Sequence, residues 1–320
     1  LKENLLFEIQ DMIDRKRLSN EEKDKILDDY IFLCFILGND FIPHSPSVSI
    51  KNSGINLMID LYSRYLDQLK CNLVDVELKK INHDFLTYIF RDLGLMEDSI
   101  LLDFNKKRSR KKKPNKIYEN EFDREKDLLN MFPQFNRQKE EIIKQGEEGW
   151  RERYYKNLFN IEDKYEIDKL CHNYIEGLFW NFHYYNYECI SWEWCYPYSN
   201  PPSYNDIYNY LNNFVSDINK MNISKGIPCK PFEQLLMVLP QQSKNLLPRE
   251  VGNLMTDIES DIIEYFPIEY KLECVNKYYL HECPPLLPRV VIKDIREAVK
   301  KCKISENEKS RNKFGTLFIK

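Results

Sequence analysis

The sequence contains few glycines, no closely spaced cysteine pair, no long apolar run and no excess of positive charge. Only 9 of its 320 residues are glycine, whereas 21 are tyrosine and 18 are phenylalanine. Folds built from many short strands need glycine at their turns, so this scarcity argues against them. Hydrophobic residues make up 42% of the chain, which is enough for a substantial core. We therefore expect a mainly helical protein with aromatic-rich packing.

The cysteines exclude two common structural roles. None of the nine belongs to a C-x-x-C pair, their number is odd, and the five histidines keep no ligand spacing to them. A structural zinc site and a disulfide framework are therefore not expected. Reduced thiols are typical of intracellular proteins, so we expect a cytoplasmic location, with the nucleus as the alternative.

The lack of positive charge and of long apolar runs excludes two further classes. The net charge of −4 shows that the chain is not basic throughout, although local basic surface can still contact phosphates. The longest apolar run, residues 30–37, is far shorter than the roughly 20 residues of a membrane-spanning helix, and no segment resembles a signal peptide. The first residue is Leu1 rather than Met, which predicts that the sequence starts inside a longer polypeptide.

Apolar periodicity predicts helices along most of the chain. Residues 1–37 are expected to form two, the second from about residue 21 to residue 37, because the segment SNEE at 19–22 resembles a helix start with early acids. Gly38 ends this second helix, and Pro43 keeps the next stretch extended. Further helices are predicted at about 54–71, 82–93, 149–159, 168–187 and 293–302 and near residue 121, with a loop rich in Trp, Tyr and Pro at 191–204.

A run of basic residues interrupts this pattern. Seven of the eight residues from 106 to 113 are lysine or arginine, and Pro114 follows them. We expect residues 105–116 to be a loop insertion. Contact with RNA phosphates and a nuclear import signal are alternatives, but a solvated loop is the simplest interpretation of such a run.

One carboxylate has the setting of a metal ligand. The apolar segment 30–37 ends at Gly38, which lets the backbone turn, and Asp40 follows at once. A carboxylate at the rim of a buried element is well placed for a divalent cation, yet two-metal phosphodiester hydrolysis needs several carboxylates around ions about 4 Å apart. Asp40 alone does not provide them. Spacing by itself favours the simpler role of an aspartate that caps the following turn.

Several motifs in a fixed order resemble those of one family. The longest is DDYIFLCFILGNDFIPHSPS at residues 28–47. The others are GWRERYY at 149–155, YIEGLFW at 174–180, SWEWCYPY at 191–198, PFEQLLMVLP at 231–240, LMTD at 254–257, IIEYFP at 262–267 and EKSRNKFG at 308–315. Together they resemble the conserved core of the Xrn-type 5′→3′ exoribonucleases, over nearly the whole chain apart from about 97–140.

The resemblance implies a fold, a division of the chain and a reaction. The implied fold is mainly α, as the helical C-terminal part of an α/β PIN/FEN-like nuclease core. Residues 1–96 would carry the Gly-Asn-Asp motif at the end of the nuclease domain, 97–140 a variable basic insertion, and 141–320 a helical second core region. The implied reaction is processive, metal-assisted hydrolysis of single-stranded, 5′-monophosphorylated RNA to mononucleotides in RNA decay.

The resemblance also implies a cofactor and partners. Asp40 stands where the family has the last acidic ligand of its magnesium site, so Mg²⁺ or Mn²⁺ is the expected cofactor. The other acidic ligands and the pocket for the 5′-phosphate belong to the family's N-terminal part, which this sequence does not contain. We therefore expect this chain alone to be inactive. Its expected partners are that N-terminal part, single-stranded RNA and adaptor proteins of the decay pathway, without a membrane.

The aromatic loop supplies candidates for RNA contact. The family uses a tryptophan near its active site to contact RNA, and Trp192 is the first candidate here and Trp194 the second. In an extended segment Trp192, Trp194 and Tyr196 would form one aromatic row. Base stacking tolerates any sequence, which suits a processive enzyme. We expect one tryptophan to anchor the loop and the other to face the RNA. Trp180 and Tyr184, on a predicted helix, are expected in the core.

Three further polar residues lie close to Asp40 in the sequence. His44 is a candidate to orient Asp40 as a partner of a metal ligand, although burial against the two neighbouring prolines is the simpler expectation. Asp28 and Asp29, about three turns before the end of the apolar helix, are expected at the surface or as caps.

Two other functions share part of these features. A flap-endonuclease-like DNA nuclease also has a Gly-x-Asp at the end of an apolar helix, but the motifs between 149 and 315 resemble the exoribonucleases only. A catalytically inert RNA-binding or scaffolding derivative of the family would share every motif above. Intact acidic ligands and an intact phosphate pocket in the N-terminal part would distinguish the enzyme from this derivative.

Overall fold

The computed structural model describes residues 2–12, 18–50, 53–110, 116–213 and 217–314, and within them the chain is mainly helical, as predicted. The helices are α1 (Lys2–Met12), α2 (Asn20–Ile36), α3 (Gly54–Leu69), α4 (His83–Ser109), α5 (Glu121–Asn130), α6 (Phe132–Phe135), α7 (Gln138–Ile143), α8 (Trp150–Phe159), α9 (Lys164–Asn186), α10 (Tyr204–Asn213), α11 (Pro231–Val238), α12 (Arg249–Asn253), α13 (Ile292–Lys301) and α14 (Glu306–Arg311).

The described strands are short and form two antiparallel pairs. Strand β1 (Val74–Asp75) pairs with β2 (Lys80–Ile81), and β3 (Lys271–Leu272) pairs with β4 (Pro285–Leu286). Each strand has two residues, so these pairs fasten turns rather than form a layer of the core.

The chain divides into two compact units. The first unit comprises Leu1–Ile190, Trp194–Ile223 and Val275–Glu282, and the second unit comprises Ser191–Glu193, Ser224–Cys274 and Cys283–Lys320. The division predicted from the sequence, at 1–96, 97–140 and 141–320, stays a prediction.

Helix α2 begins where the sequence predicts. Ser19 Oγ accepts a hydrogen bond from the backbone N of Glu22 at 3.2 Å, and Glu22 Oε2 accepts one from the backbone N of Ser19 at 2.8 Å. This reciprocal cap contributes about 1 kcal/mol to helix stability. Beyond it the helix buries Phe32, Leu33 and Ile36 in the core of the first unit. The cap and the apolar end together fix the position at which the chain leaves the core.

Helix α10 is part of the core although the sequence analysis places no helix there. Its buried residues Tyr204, Ile207 and Leu211 follow helical spacing, and it packs mainly against α4. Glu97 of α4 is almost fully buried and accepts hydrogen bonds from Tyr204 N at 2.9 Å and from Arg151 Nη2 at 3.0 Å. This carboxylate therefore connects α4, α8 and the start of α10.

The basic run is not a loop in its first half. Helix α4 continues through Ser109, and Arg108 is buried. Its Nε and Nη2 donate to the two carboxylate oxygens of Glu140 at 3.0 and 2.8 Å, and its guanidinium lies 5.0 Å from the ring centroid of Tyr278. The prediction of a loop from residue 105 onward is therefore wrong for residues 105–109. Arg108 is buried because it forms a bidentate ion pair with Glu140. Residues 111–113 lie outside the described residues.

The second unit has its own apolar core, formed mainly by α11, α12 and α13. Phe232, Leu236, Val251, Met255 and Ile295 are buried within it.

In the described part of the chain, no helix combines the length and hydropathy needed to cross a membrane. All nine cysteines are free thiols in the structure.

Candidate functional site: an exposed carboxylate beside an aromatic shelf

The loop after α2 starts at a position where only glycine fits. Gly38 has a φ of +89°, and a Cβ added there would lie 2.6 Å from His44 Cβ and 2.8 Å from His44 N. The left-handed backbone and the close approach both favour a residue without a side chain. The chain therefore turns sharply as soon as the apolar helix ends.

Asn39 fixes the conformation of the segment that carries Asp40. Its Oδ1 accepts hydrogen bonds from the backbone N of Phe41 at 2.9 Å and of Ile42 at 3.1 Å, and its Nδ2 donates to Asn181 Oδ1 at 2.8 Å. Asn181 is fully buried on α9. The sequence analysis missed this pair, although an amide within an apolar helix face signals a partner, because buried amides need hydrogen bonds.

Asp40 is exposed in this fixed loop. Nowhere in the described ranges do three or more His, Cys, Asp or Glu side chains come close enough to hold a metal ion. A magnesium ion held by a single carboxylate keeps most of its water and binds weakly. The described residues therefore fit one ligand of a metal site and not a complete site. The role of Asp40 as a metal ligand and catalytic residue stays a prediction.

A continuous set of rings, which we call the aromatic shelf, includes the residue that follows Asp40. It consists of Phe41, Trp180, Tyr184, Tyr185 and Trp194. The Phe41 ring lies 4.7 Å from Trp180 and 5.2 Å from Tyr184, centroid to centroid. Trp180 is buried between near-parallel partners, Tyr184 at 4.8 Å and Trp194 at 5.3 Å. Phe41 follows Asp40 directly in the sequence, so the loop that carries the carboxylate also contributes a ring to this shelf.

One face of α9 supports both the loop and the shelf. Gly177, Trp180, Asn181 and Tyr184 follow the spacing of one helix face. A Cβ at Gly177 would lie 2.6 Å from Ile42 Cγ2 and 3.0 Å from Trp194 Cη2. The loop and the indole therefore approach α9 closely because residue 177 has no side chain.

The two candidate tryptophans differ in their surroundings. Trp194 stacks on Trp180 and donates from Nε1 to Glu176 Oε2 at 2.8 Å, so it anchors the loop. Trp192 belongs to the second unit and is 49% exposed. Residues 192 and 193 form a bend, so the extended segment assumed for an aromatic row does not include Trp192. Contact of either tryptophan with RNA stays a prediction.

Two expectations about buried side chains near Asp40 are wrong. Tyr184 is 43% exposed rather than part of the core, because one face of its ring covers Trp180 and the remainder reaches the surface. His44 is exposed rather than buried, because the tight approach of its backbone to Gly38 leaves the imidazole outside. Tyr184 therefore joins the candidate RNA contacts, and the orienting role of His44 stays a prediction.

Asp29 was expected at the surface and is fully buried. Its Oδ2 accepts from Tyr62 Oη at 2.8 Å and from Asn72 Nδ2 at 2.7 Å, and its Oδ1 accepts from Val74 N at 2.7 Å. Burial raises the pKa of the Asp29 carboxyl from its ordinary 3.8 to about 6, although these hydrogen bonds oppose the rise. The expectation is wrong because donors on α3 and in the following turn surround this position.

Known proteins resemble the chain over most of its length. The family model described as the Xrn1 helical domain matches residues 20–141 and 132–319. The 5′-3′ exoribonuclease 2 homolog of Drosophila melanogaster is 26% identical, over 92% of this chain and 37% of the relative. The 5′-3′ exoribonuclease 1 of Homo sapiens is 28% identical, over 92% of this chain and 19% of the relative.

A third relative matches the same share of this chain. The 5′-3′ exoribonuclease 2 of Gallus gallus is 28% identical, over 92% of this chain and 38% of the relative. The chain thus spans between 19% and 38% of the length of these three proteins. Because the helical-domain model matches nearly all of the described residues, the chain belongs to the Xrn-type 5′→3′ exoribonuclease family.

Proposed function

We propose that this chain is part of a 5′→3′ exoribonuclease that degrades single-stranded, 5′-monophosphorylated RNA processively to mononucleotides in RNA turnover. The observation that carries the proposal is Asp40, exposed in a fixed loop whose next residue, Phe41, belongs to the aromatic shelf, in a chain of this family. The loop holds the carboxylate in place through Asn39, and the shelf offers rings on which bases can stack.

Asp40 would supply one carboxylate ligand for Mg²⁺ or Mn²⁺, which would provide the hydrolytic chemistry when bound. The described residues offer no complete ligand set, so the remaining ligands have to come from outside them. The chain by itself would consequently be inactive, and its main partner would be the N-terminal part of the same nuclease core. His44 would orient the Asp40 carboxylate. Decay-pathway adaptors, and a cytoplasmic or alternatively nuclear location, complete the proposal.

The aromatic shelf would contact RNA without reading its sequence. Tyr184 and Tyr185 are 43% and 54% exposed, and every base has a face that can stack on such rings. Trp192 remains the first candidate among the tryptophans because it is exposed, whereas Trp194 would act by holding the shelf in shape. Stacking without hydrogen-bond readout is what a processive nuclease requires.

The test is turnover of the full-length protein on a 5′-monophosphorylated single-stranded RNA in the presence of Mg²⁺. Replacing Asp40 by Ala should lower kcat at least about a hundredfold. A carboxylate that contacts the metal contributes more to catalysis than the residues that only orient the metal ligands. The Asp40→Asn variant should lose activity as well, since it keeps the shape and removes the charge. RNA bearing a 5′-hydroxyl serves as the substrate control.

A matched control is Asp60→Ala, which removes another exposed carboxylate, on α3. It should leave kcat unchanged. Near-normal turnover by the Asp40→Ala variant would assign that residue to turn capping. A full-length wild-type protein that binds RNA but releases no mononucleotides with Mg²⁺ or Mn²⁺ would instead be the inert RNA-binding derivative of the family.

A further inference from the structure

The second unit contains a strongly basic cleft. Its volume is about 600 Å³, and its lining has five cations and one carboxylate, in a chain whose net charge is −4. The cations are Lys230, Arg296, Lys300, Lys309 and Lys313, and the carboxylate is Glu233. We call this feature the basic cleft. Its charge is opposite in sign to that of the whole chain, so it selects for anions.

Three helices bring these cations together. Lys230 precedes α11, Arg296 and Lys300 lie on α13, and Lys309 and Lys313 lie on and just after α14. Phe232 N donates to Asn312 Oδ1 at 3.0 Å, which joins the start of α11 to the end of α14. The cleft is thus a product of the folded second unit and not of one basic stretch of sequence.

Two of the five cations already have acidic partners. Arg296 Nη1 donates to Glu193 Oε1 at 2.7 Å, and its Nη2 donates to Ile227 O. Lys309 Nζ lies 2.6 Å from Glu306 Oε1. Across the described ranges no ion pair involves Lys230, Lys300 or Lys313, and all three are exposed. These three ammonium groups are therefore available to a ligand.

Interaction with a helix dipole explains only one of the three lysines that form no ion pair in the described ranges. Lys300 near the C-terminus of α13 interacts favourably with the helix dipole, and single exposed lysines are common. The dipole of α13 does not account for Lys230 and Lys313, which come from other elements. The cleft lining also includes Phe314 and Ile227, which are 56% and 65% exposed. Single-strand binding proteins combine a positively charged groove for phosphates with exposed rings for bases.

We propose that the basic cleft binds the phosphate backbone of single-stranded RNA through Lys230, Lys300 and Lys313, with Phe314 against a base. The choice of RNA rests on the proposed function, whereas the preference for a polyanion rests on the charges of the cleft. Lysine ammonium groups suit this role because they act as point charges toward phosphate oxygens without demanding one geometry. The cleft would contribute electrostatic affinity for RNA, whereas the aromatic shelf would contribute base stacking.

The test measures binding of a 20-nucleotide single-stranded RNA to the full-length protein in EDTA, over a range of salt concentrations. In the triple variant Lys230→Gln, Lys300→Gln, Lys313→Gln, the slope of log K against log salt should become shallower by about 2. Each phosphate contact to a single strand contributes about 0.7 to that slope. The dissociation constant at moderate salt should rise roughly tenfold. Thermal unfolding of the variant should match wild type, because all three side chains are exposed.

A matched triple variant distinguishes the cleft from bulk charge. Lys271→Gln, Lys293→Gln and Lys303→Gln removes three exposed lysines of the second unit that do not line the cleft. An equal change of slope in both triple variants would overturn the proposal, as would no change in either. Lysine-dependent binding of an acidic peptide more tightly than RNA would overturn it in favour of a protein partner.

The same experiment separates this proposal from the proposed function, because binding in EDTA needs no turnover. An active exoribonuclease whose salt slope is unaffected by the three lysines would refute the cleft alone. A protein without nuclease activity whose salt slope depends on those lysines would refute the enzyme alone.

Discussion

Asp29 and Asp40 lie eleven residues apart, on either side of the apolar end of α2, and they have opposite surroundings. Asp29 is fully buried and accepts hydrogen bonds from Tyr62, Asn72 and the backbone of Val74. Asp40 is exposed, in a loop that the side chain of Asn39 fixes. The same residue type therefore connects helix α2 to its neighbours at one place and faces solvent at the other.

The difference shows that the hydrogen-bond donors around a carboxylate near the core determine whether it can bind a ligand. A buried carboxylate whose oxygens are occupied by protein donors has no capacity left for a ligand, and its removal leaves those donors unsatisfied. An exposed carboxylate that its loop holds in place keeps its oxygens for a ligand. Substitution should consequently affect folding at Asp29 and function at Asp40.

The largest expected effect is loss of stability in the Asp29→Ala variant. Three donors, two of them buried, would lose their acceptor, which should lower the free energy of unfolding by about 3 kcal/mol. Urea unfolding followed by circular dichroism measures this difference. Asp40→Ala should change the free energy of unfolding by less than about 0.5 kcal/mol, as exposed substitutions usually do. Equal stability of the two variants would show that Asp29 does not stabilise the fold more than Asp40 does.

The pH dependence of stability should identify Asp29 as a carboxyl with a raised pKa. Its folded-state pKa of about 6 is above the ordinary 3.8, so the folded protein retains a proton that the unfolded chain releases. This contribution is present in full below about pH 3.8 and is lost as the pH rises through about 6. The shift corresponds to about 3 kcal/mol.

The Asp29→Asn variant supplies the reference for that measurement, since its other titrating groups are the same. The wild type should lose stability relative to this variant between about pH 4 and 7. Parallel stability curves over that range would show that the pKa of Asp29 is not raised.

The start and end of α2 could be predicted because their signals are local. The Ser19 and Glu22 cap lies within four residues, and Gly38 is required by a backbone turn next to it. Asp29 could not be placed in the same way, because its partners come from 33 to 45 residues further along the chain. Local chemistry fixes helix ends, whereas tertiary packing decides which polar side chains are buried.

The basic run and α10 illustrate two further reasons for wrong predictions. A charge run is usually solvated, and nothing near Arg108 in the sequence reveals that Glu140, 32 residues later, accepts from it. In contrast, the stripe of Tyr204, Ile207 and Leu211 was visible in the sequence but stood within polar residues after a proline-rich loop. Asp40 became a candidate metal ligand through resemblance, since spacing alone favoured a capping role, and this role stays a prediction.

Trp192 and Trp194 repeat the contrast between an exposed and an anchored side chain at a smaller scale. Trp192→Ala should weaken binding of single-stranded RNA by about 1–3 kcal/mol, without sequence preference and with little change in stability. Trp194→Ala should instead destabilise the fold by about 2 kcal/mol, because it removes the stacking on Trp180 and the hydrogen bond to Glu176. Fluorescence anisotropy and urea unfolding of both variants measure these effects. The reverse pattern would exchange the two roles.

The smallest expected effect comes from Tyr62→Phe, which removes one of the donors to Asp29 and keeps the ring. The Tyr62 hydroxyl donates to Asp29 Oδ2 at 2.8 Å, and a hydrogen bond of this kind contributes about 1 kcal/mol. Because this bond favours the charged carboxylate, its loss should also raise the pKa of Asp29 further above 6. The stability difference between the Tyr62→Phe protein and the same protein carrying Asp29→Asn should therefore titrate at a higher pH than in the wild-type background.

Tyr65→Phe is the matched control, since its hydroxyl donates to Asp92 at 2.7 Å and not to Asp29. A downward shift of the transition in the Tyr62→Phe background, or an equal shift with Tyr65→Phe, would show that the hydroxyl does not stabilise the Asp29 carboxylate.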